Sequence, residues 1–272
     1  HCLKECPVQA IRIRGHKAYI NEELCVDCGE CVRVCPYHAH RVITDDMKII
    51  EKFPYRILIV PLSFWGQFSA LTIEQICYGL FLLGFHSVVS EDIGLKLFEG
   101  QIEQFMMEKK EEERVFIAPN CPAVVRLIFV RFPSLIPDII PVKNSEEITS
   151  KFVRWYYKEI SKLKKFGVFY LSPCSCKVSS IKIPIGERKS GIDGVFSIKE
   201  IFNRLRSMDL SAPSLPKDFQ FLWANFEPNS ILKKYNLLNI NGKKYIIDLF
   251  DQLENNQKNN LEIIHPYACD HG

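Results

Sequence analysis

An α/β fold in two parts is predicted: a small cysteine-rich α+β module, then a larger unit built on parallel sheet. Three observations carry this reading. Six of the eleven cysteines lie in the first 35 residues. Past about residue 50, short apolar runs alternate with helical periodicity, the pattern of strands covered by helices on both faces. The composition, 47% hydrophobic, supports a sizeable core and is unlike short, core-poor disulfide frameworks. The implied domains are residues 1–48 and 54–272, with a linking segment over 44–54.

The first module is defined by Cys25, Cys28, Cys31 and Cys35, which with Pro36 spell C-x-x-C-x-x-C-x-x-x-C-P. That run is an iron–sulfur signature. A 4Fe–4S cubane asks for one thiolate per iron, and in two-cluster ferredoxins the last cysteine of each run crosses to the other cluster. Upstream, Cys2, Cys6 and Pro7 repeat the end of the same run. Cys25, Cys28, Cys31 and Cys6 are therefore expected to hold one 4Fe–4S cluster. Cys2 and Cys35 belong to a second, whose remaining two cysteines would precede residue 1, so the sequence reads as a fragment. Zinc is the weaker reading, because zinc patterns separate two pairs by a longer insert and require no third cysteine at the same pitch. Between the runs, residues 10–14 and 17–20 alternate around Gly15-His16, which predicts a small hairpin.

In the larger unit, residues 57–60 form a short apolar run suited to a strand buried on both faces. Thr72 and Gln75 predict a capping box for a helix whose face carries Ile73, Ile76, Cys77, Leu80 and Leu83. Cys77 on that face reads as packing rather than as a ligand. A strand at 87–89, a helix over 95–107 and a strand at 115–118 follow. Asn144 and Glu147 predict a second capped helix with Ile148, Phe152, Tyr156 and Ile160 on its face. Strands at 167–171 and 193–196 come next, and Ser197 with Glu200 predicts a third capping box. Ile246, Leu249, Phe250 and Leu253 mark a last helix, and residues 261–264 a last strand. Three cysteines then follow strand ends, the edge at which open α/β sheets build their sites.

Those cysteines lie in Pro119-Asn120-Cys121-Pro122, in Ser172-Pro173-Cys174-Ser175-Cys176-Lys177 and in Tyr267-Ala268-Cys269-Asp270-His271-Gly272. Together, behind a dicluster module, they resemble the C-terminal domain of iron-only (FeFe) hydrogenases, whose motifs are T-S-C-C-P, M-P-C-x-x-K-K-x-E and a late C-x-x-x-C. The resemblance implies a ferredoxin-like α+β dicluster domain followed by an α/β hydrogenase-like domain with parallel sheets. It implies a third 4Fe–4S cubane on Cys121, Cys174 and Cys269, with a fourth cysteine at position 273. In the family this cubane is joined to a two-iron centre, the H-cluster. Lys177 matches the lysine that donates hydrogen bonds to that centre and is the expected catalytic residue.

Departures from the motifs shape the expected activity. Asn120 stands where catalytic members carry a proton-passing cysteine, and Ser180 stands where they carry a glutamate. An amide does not titrate usefully, and loss of one acid/base group costs about 10²–10⁴ in rate. A hydrogen-sensing or redox-signalling role is therefore expected, similar to the sensory branch of the family. The alternatives are a catalytic ferredoxin-dependent hydrogenase and a noncatalytic cubane-only protein like the cytosolic iron–sulfur assembly relatives.

Other functions fit poorly. Net charge is +3, from 35 basic and 32 acidic residues, which supplies no field for nucleic acid. The longest apolar stretch, 78–89, is too short to span a bilayer. Without a signal-peptide pattern and with reduced thiols, a cytoplasmic location is expected. The basic run 162–165 reads as a solvated helix end or as a dock for an acidic electron donor, so the expected partner is a ferredoxin-type or other redox protein. His38, His40, His265 and His271 lack paired ligand spacing and read as surface or supporting residues.

Overall fold

The computed structural model describes residues 1–110, 112, 114–186, 188–255 and 260–269. In chain order, the first module contains α1 (Cys2–Glu5), β1 (Ile11–Arg14), β2 (Lys17–Ile20) and α2 (Glu30–Arg33). β1 and β2 form the predicted hairpin, with Ile11 opposite Ile20. Every residue of β2 is exposed, and within residues 1–40 only Ala10, Ile11, Val26 and Cys35 are buried hydrophobics. Chains of this size rarely hold themselves together by apolar burial, and metal commonly supplies the remainder.

The larger unit runs through β3 (Arg56–Val60), α3 (Leu62–Trp65), α4 (Ile73–Leu82), β4 (Ser87–Ser90), α5 (Asp92–Glu108), β5 (Phe116–Ile117) and α6 (Pro122–Arg131). It continues with α7 (Ser145–Trp155), β6 (Gly167–Ser172), α8 (Ser175–Lys182), β7 (Gly194–Ser197) and α9 (Ile198–Arg206). β8 (Gln220–Leu222), β9 (Leu237–Asn241), α10 (Lys243–Glu254) and β10 (Ile263–Tyr267) complete it. Two sheets result, of order β7-β6-β3-β4-β8 and β5-β10-β9, and every pairing in both is parallel. This is the mixed α/β architecture with parallel sheets that the sequence predicts.

β3 lies at the centre of the larger sheet, and Ile57, Leu58, Ile59 and Val60 are fully buried because helices cover both faces. Each such side chain contributes about 1.5–3 kcal/mol relative to exposure. On one face Leu58 and Val60 pack with Phe64, Ile76, Leu80, Phe85 and Phe169; on the other Ile57 and Ile59 meet Val153, Tyr157 and Val168. Cys77 is buried on α4, and burial pushes its thiol up to about 12, as befits a packing residue.

The linking segment 44–54 is docked on the larger unit: Met47–Lys52 forms a 3-10 turn with Met47 and Ile50 buried, and Asp45 pairs with the backbone of Val195 at 2.9 and 2.8 Å. Three other local expectations differ from the structure. The box at Thr72 and Gln75 forms in full, whereas Asn144 and Ser197 make no side-chain cap bond. Asn144 turns instead to Ser180, and Glu147 to Ser190 and Gly191. On α7 the buried apolar positions are Ile148 and Val153, with Tyr157 just beyond, while Ile160 is exposed at the end of a π turn.

Candidate iron–sulfur sites

Cys6, Cys25, Cys28 and Cys31 gather in the first module. Cys6 ends α1, and Cys31 sits on α2. The loop between Cys25 and Cys31 turns through positive φ at Asp27 (54°) and Gly29 (75°). Burial is the main force pushing the thiols of Cys25 and Cys31 up and that of Cys28 up to about 11, and repulsion among the four sulfurs adds to it. The backbone amides of Asp27, Glu30 and Val32 oppose this shift at Cys25, Cys28 and Cys31, and Ala10 donates to the Cys6 sulfur at 3.2 Å. Sulfurs that repel one another as thiolates yet receive amide donors are suited to iron, which neutralises the repulsion and keeps the hydrogen bonds. The fit to a cubane is good. Cys2 lies near Cys31, and the Cys35 sulfur accepts from Ala39 at 3.3 Å, which leads a set of amides that lower its thiol.

A second gathering forms where the carboxyl edges of the two sheets meet. Cys121 follows β5 and is the N-cap of α6, and Cys174 follows β6 and is the N-cap of α8. Both sulfurs therefore lie at helix N-termini, where thiolate charge is favoured. Cys176, the second residue of α8, joins them: its sulfur lies 3.4 Å from that of Cys174, where either thiol can donate, and it also hydrogen-bonds Cys121. Hydrogen bonding with Cys176 lowers Cys121 to about 6 and lowers Cys174 against the opposing effect of burial, while Cys176 itself is raised far above its usual value. Ala268 also donates its amide to Cys121. Cys269 follows β10 and is exposed, its carbonyl accepting from Gly242 at 3.1 Å. Residues 270–272, including His271, lie outside the described residues.

The donor set suits a buried iron–sulfur cluster. Both amide atoms of Asn120, beside Cys121, are buried without a well-formed hydrogen bond, so polar capacity there is unmet. Among the described residues no three His, Cys, Asp or Glu side chains converge as ligands of one metal ion do. A cubane differs from such an ion in taking its thiolates at four separate irons.

The Lys177 ammonium enters a buried acidic cluster, and its charge also favours the thiolate of Cys174. Its Nζ lies 2.7 Å from Glu91 Oε1, 3.2 Å from Glu146 Oε2 and 3.1 Å from the Tyr170 hydroxyl. Glu91 also accepts from Ser145 at 2.6 Å and from Tyr170 at 2.8 Å. Burial raises both carboxyls. Lys177 and the hydroxyls outweigh it at Glu91, which ends below the usual range, whereas Glu146, beside Glu91 and with Oε1 unpartnered, is held up to about 7. Burial alone would strip Lys177 of its proton, but the two carboxylates hold it firmly protonated. Gly94 makes this cluster possible: a Cβ there would lie 1.9 Å from Thr149 Oγ1 and 2.5 Å from the Ser145 carbonyl, so α5 and α7 touch only because it has none.

The two cysteine sites abut. Ser175 donates to the Asp27 carbonyl at 2.7 Å, and Arg126 on α6 pairs with the Asp27 carboxylate. Val26 and Cys28 share one core with Cys121, Cys174 and Cys176. A side chain at position 29 would strike Ser175 Oγ at 2.4 Å. Lys243 at the start of α10 reaches Glu5 at 2.9 Å and Glu30 at 3.5 Å across the same seam.

Sequence reasoning missed Cys176, Glu91, Glu146 and Asp27. The spacing Cys174-x-Cys176 was the available signal for the first, and an acidic pair, Glu91-Asp92, directly after a strand end for the second. His265, expected to be a surface or supporting residue, is buried against Phe98 and bonded to Asn229 at 2.9 Å, with burial lowering it to about 4.

Thiol clusters with amide donors on two adjoining units are the mark of an iron–sulfur protein. Residues 1–39 match the 4Fe-4S dicluster domain, and residues 59–226 match the iron only hydrogenase large subunit, C-terminal domain. The chain belongs to that hydrogenase large-subunit family. Its fold resembles an FeFe-hydrogenase structure concerned with stepwise H-cluster assembly, with a TM-score of 0.60 and 14% identity over 83% of this chain and 81% of that one. An FeFe-hydrogenase of Chlamydomonas reinhardtii gives 0.58 and 14% over 80% and 78%. A ferredoxin of Saccharopolyspora erythraea is 50% identical over 38 residues, 14% of this chain and 36% of that protein. The cytosolic Fe-S cluster assembly factor NAR1 of Yarrowia lipolytica is 21% identical over 221 residues, 71% of this chain and 45% of that protein. The chain thus spans less than half the length of these two relatives. Among the described residues no helix is long and apolar enough to cross a membrane.

Proposed function

We propose that the protein conducts single electrons between its dicluster module and a buried cluster in the α/β unit, and that it serves hydrogen sensing or redox signalling rather than rapid hydrogen turnover. The observation that carries this is the seam. The loop bearing Cys25 and Cys28 is hydrogen-bonded through Asp27 to Ser175, which lies between Cys174 and Cys176. Cys6, Cys25, Cys28 and Cys31 would hold one cluster, Cys2 and Cys35 would contribute to a second, and Cys121, Cys174 and Cys269 would hold the buried one. Bound there, a 4Fe–4S cluster supplies a one-electron couple whose potential follows amide hydrogen bonds to sulfur and burial. The chain's own part is to set those bonds and exclude water.

Proton traffic is poorly served. Asn120 offers no titratable group beside Cys121, and the Ser180 hydroxyl accepts from Asn144 at 3.1 Å where a carboxylate would be needed. A cleft of about 360 Å³, lined by Pro119, Phe129, Asn144 and Ser180 among others, opens beside Ser180. The expected partner is a ferredoxin-type or other redox protein.

A cubane-only protein is the second reading, favoured by Lys177. With its ammonium committed to Glu91, Glu146 and Tyr170, little is left to donate to a two-iron centre. Infrared spectroscopy of anaerobically matured protein separates the two. Bands from metal-bound carbon monoxide and cyanide support the sensing site; their absence in protein that retains a C-terminal cubane establishes the cubane-only reading. Isotope exchange with deuterium gas at the rate of a catalytic hydrogenase would overturn the sensing reading.

A further inference from the structure

We propose that Cys176, which is not a ligand, donates its S–H as a hydrogen bond to the cluster-binding sulfurs of Cys121 and Cys174 and thereby raises the reduction potential of the buried cluster. The inference rests on the presence of that cluster in the α/β unit.

Three neighbouring residues of α8 are each committed in a different direction. Ser175 reaches the Asp27 carbonyl, Lys177 reaches the buried carboxylates, and Cys176 reaches the two other sulfurs. The 3.4 Å between the Cys174 and Cys176 sulfurs is the separation of a thiol hydrogen bond, and among free thiols either side can donate. Iron removes that ambiguity. A ligand is a thiolate, so Cys121 and Cys174 can only accept, and Cys176 holds the one S–H of the three. Cys176 is 7% exposed and shares a core with Val26, Val124, Leu127, Ile246 and Phe250, so water competes poorly for the bond. The buried Cys77 is a useful contrast: its helix face packs with Ile76 and Leu80 beside aliphatic and aromatic side chains, the ordinary setting of a cysteine that fills space.

Reduction by one electron adds negative charge that spreads onto the sulfurs, so a donor to sulfur binds the reduced state more strongly and raises the potential. Burial acts the other way, because the reduced state carries more charge. The backbone amides of Ala123, Val124 and Ala268 also donate to Cys121. Cys176 adds a side-chain donor, at a position that the M-P-C-x-x-K-K-x-E motif leaves open. The S–H offsets part of the cost of burial and makes the buried cluster a better acceptor of electrons from the first module.

The test uses the full chain reconstituted anaerobically with ferrous iron and sulfide, and reads iron content together with a redox titration followed by electron paramagnetic resonance. Cys121→Ala is expected to lose about four irons per chain and one cluster signal, which marks that signal as the buried cluster's. If it loses none, the underlying reading of a buried cluster fails. If it loses them, Cys176→Ala is expected to keep the parent's iron content and to move the midpoint of the marked signal to more negative potential, with the first module's midpoint unmoved. Water drawn into the vacated space would move it the other way, so a rise or an unchanged midpoint overturns the proposal while leaving the cluster in place. Cys176→Ser restores a donor and is expected to return the midpoint towards the parent's with the parent's resonance lines. A serine midpoint equal to that of Cys176→Ala overturns the proposal. Should Cys176→Ala fail to hold the cluster, Cys176→Ser decides: a parent-like midpoint and lines support donation, and loss of the cluster or altered lines overturns it.

Discussion

Glycine and glutamate at single positions decide how the site is built. Gly94 lets α5 and α7 approach closely enough for Glu91 and Glu146 to share Lys177. Gly94→Ala is expected to destabilise the protein by about 1–3 kcal/mol through overpacking, read from denaturant midpoints. Glu146 makes a second prediction. Its carboxyl is held up to about 7, above the ordinary 4.5, so the folded chain keeps a proton that the unfolded chain has lost. Its contribution to stability is full below about pH 4.5 and is lost as pH rises towards 7, a change of up to about 3 kcal/mol. Glu91 is depressed and acts oppositely, at lower pH. Glu146→Gln should therefore flatten the decline between pH 5 and pH 8, and an unchanged slope would refute the assignment. None of this was legible in sequence, because the carboxylates lie 86 and 31 positions from Lys177 and meet it only through helix packing.

The elements themselves were read with more success, for physical reasons that differ from place to place. Residues 57–60 and 167–171 are short apolar runs that only a doubly covered strand explains, and both are buried strands. The Thr72 box formed because its polar residues lie at the surface, with nothing else to bond except Leu210, which Gln75 also reaches. Asn144 and Ser197 have the same local pattern, yet neither caps its helix, and Asn144 has found a tertiary partner instead. Thr72→Ala should thus cost about 1 kcal/mol in thermal or chemical unfolding, and Ser197→Ala close to nothing. Helices α6 and α8 escaped notice because each opens on a cysteine motif that drew a chemical reading. β8 and β9 escaped it because their residues are only partly buried, which blurs the strand pattern.

At the scale of the whole molecule, the cysteine run of the first module was fully legible, since ligand spacing within one loop is a local property. The meeting of Cys121, Cys174 and Cys176 was legible only in part, because it depends on two sheets presenting their carboxyl edges to one point. The seam between units depends on Asp27, Arg126 and Ser175, which carry no motif at all. Removing both side-chain contacts with Arg126→Ala and Ser175→Ala should slow reduction of the C-terminal cluster by a donor that loads the first module, followed by stopped-flow absorbance, while iron content stays unchanged. Equal rates in the double variant and the parent would show that electrons enter elsewhere. Segment 44–54 should resist protease, and less so in Asp45→Ala, which keeps the backbone bond to Val195 and loses the side-chain one.

The shared wall around Val26, Cys28, Cys121 and Cys176 has a consequence for durability. A loop stripped of iron by oxygen or a chelator would slacken the lining of its neighbour, so damage at one inorganic centre should spread to the next. Such a molecule would fail as a unit under oxidative stress, its loss of colour following one steep course instead of several gentle ones.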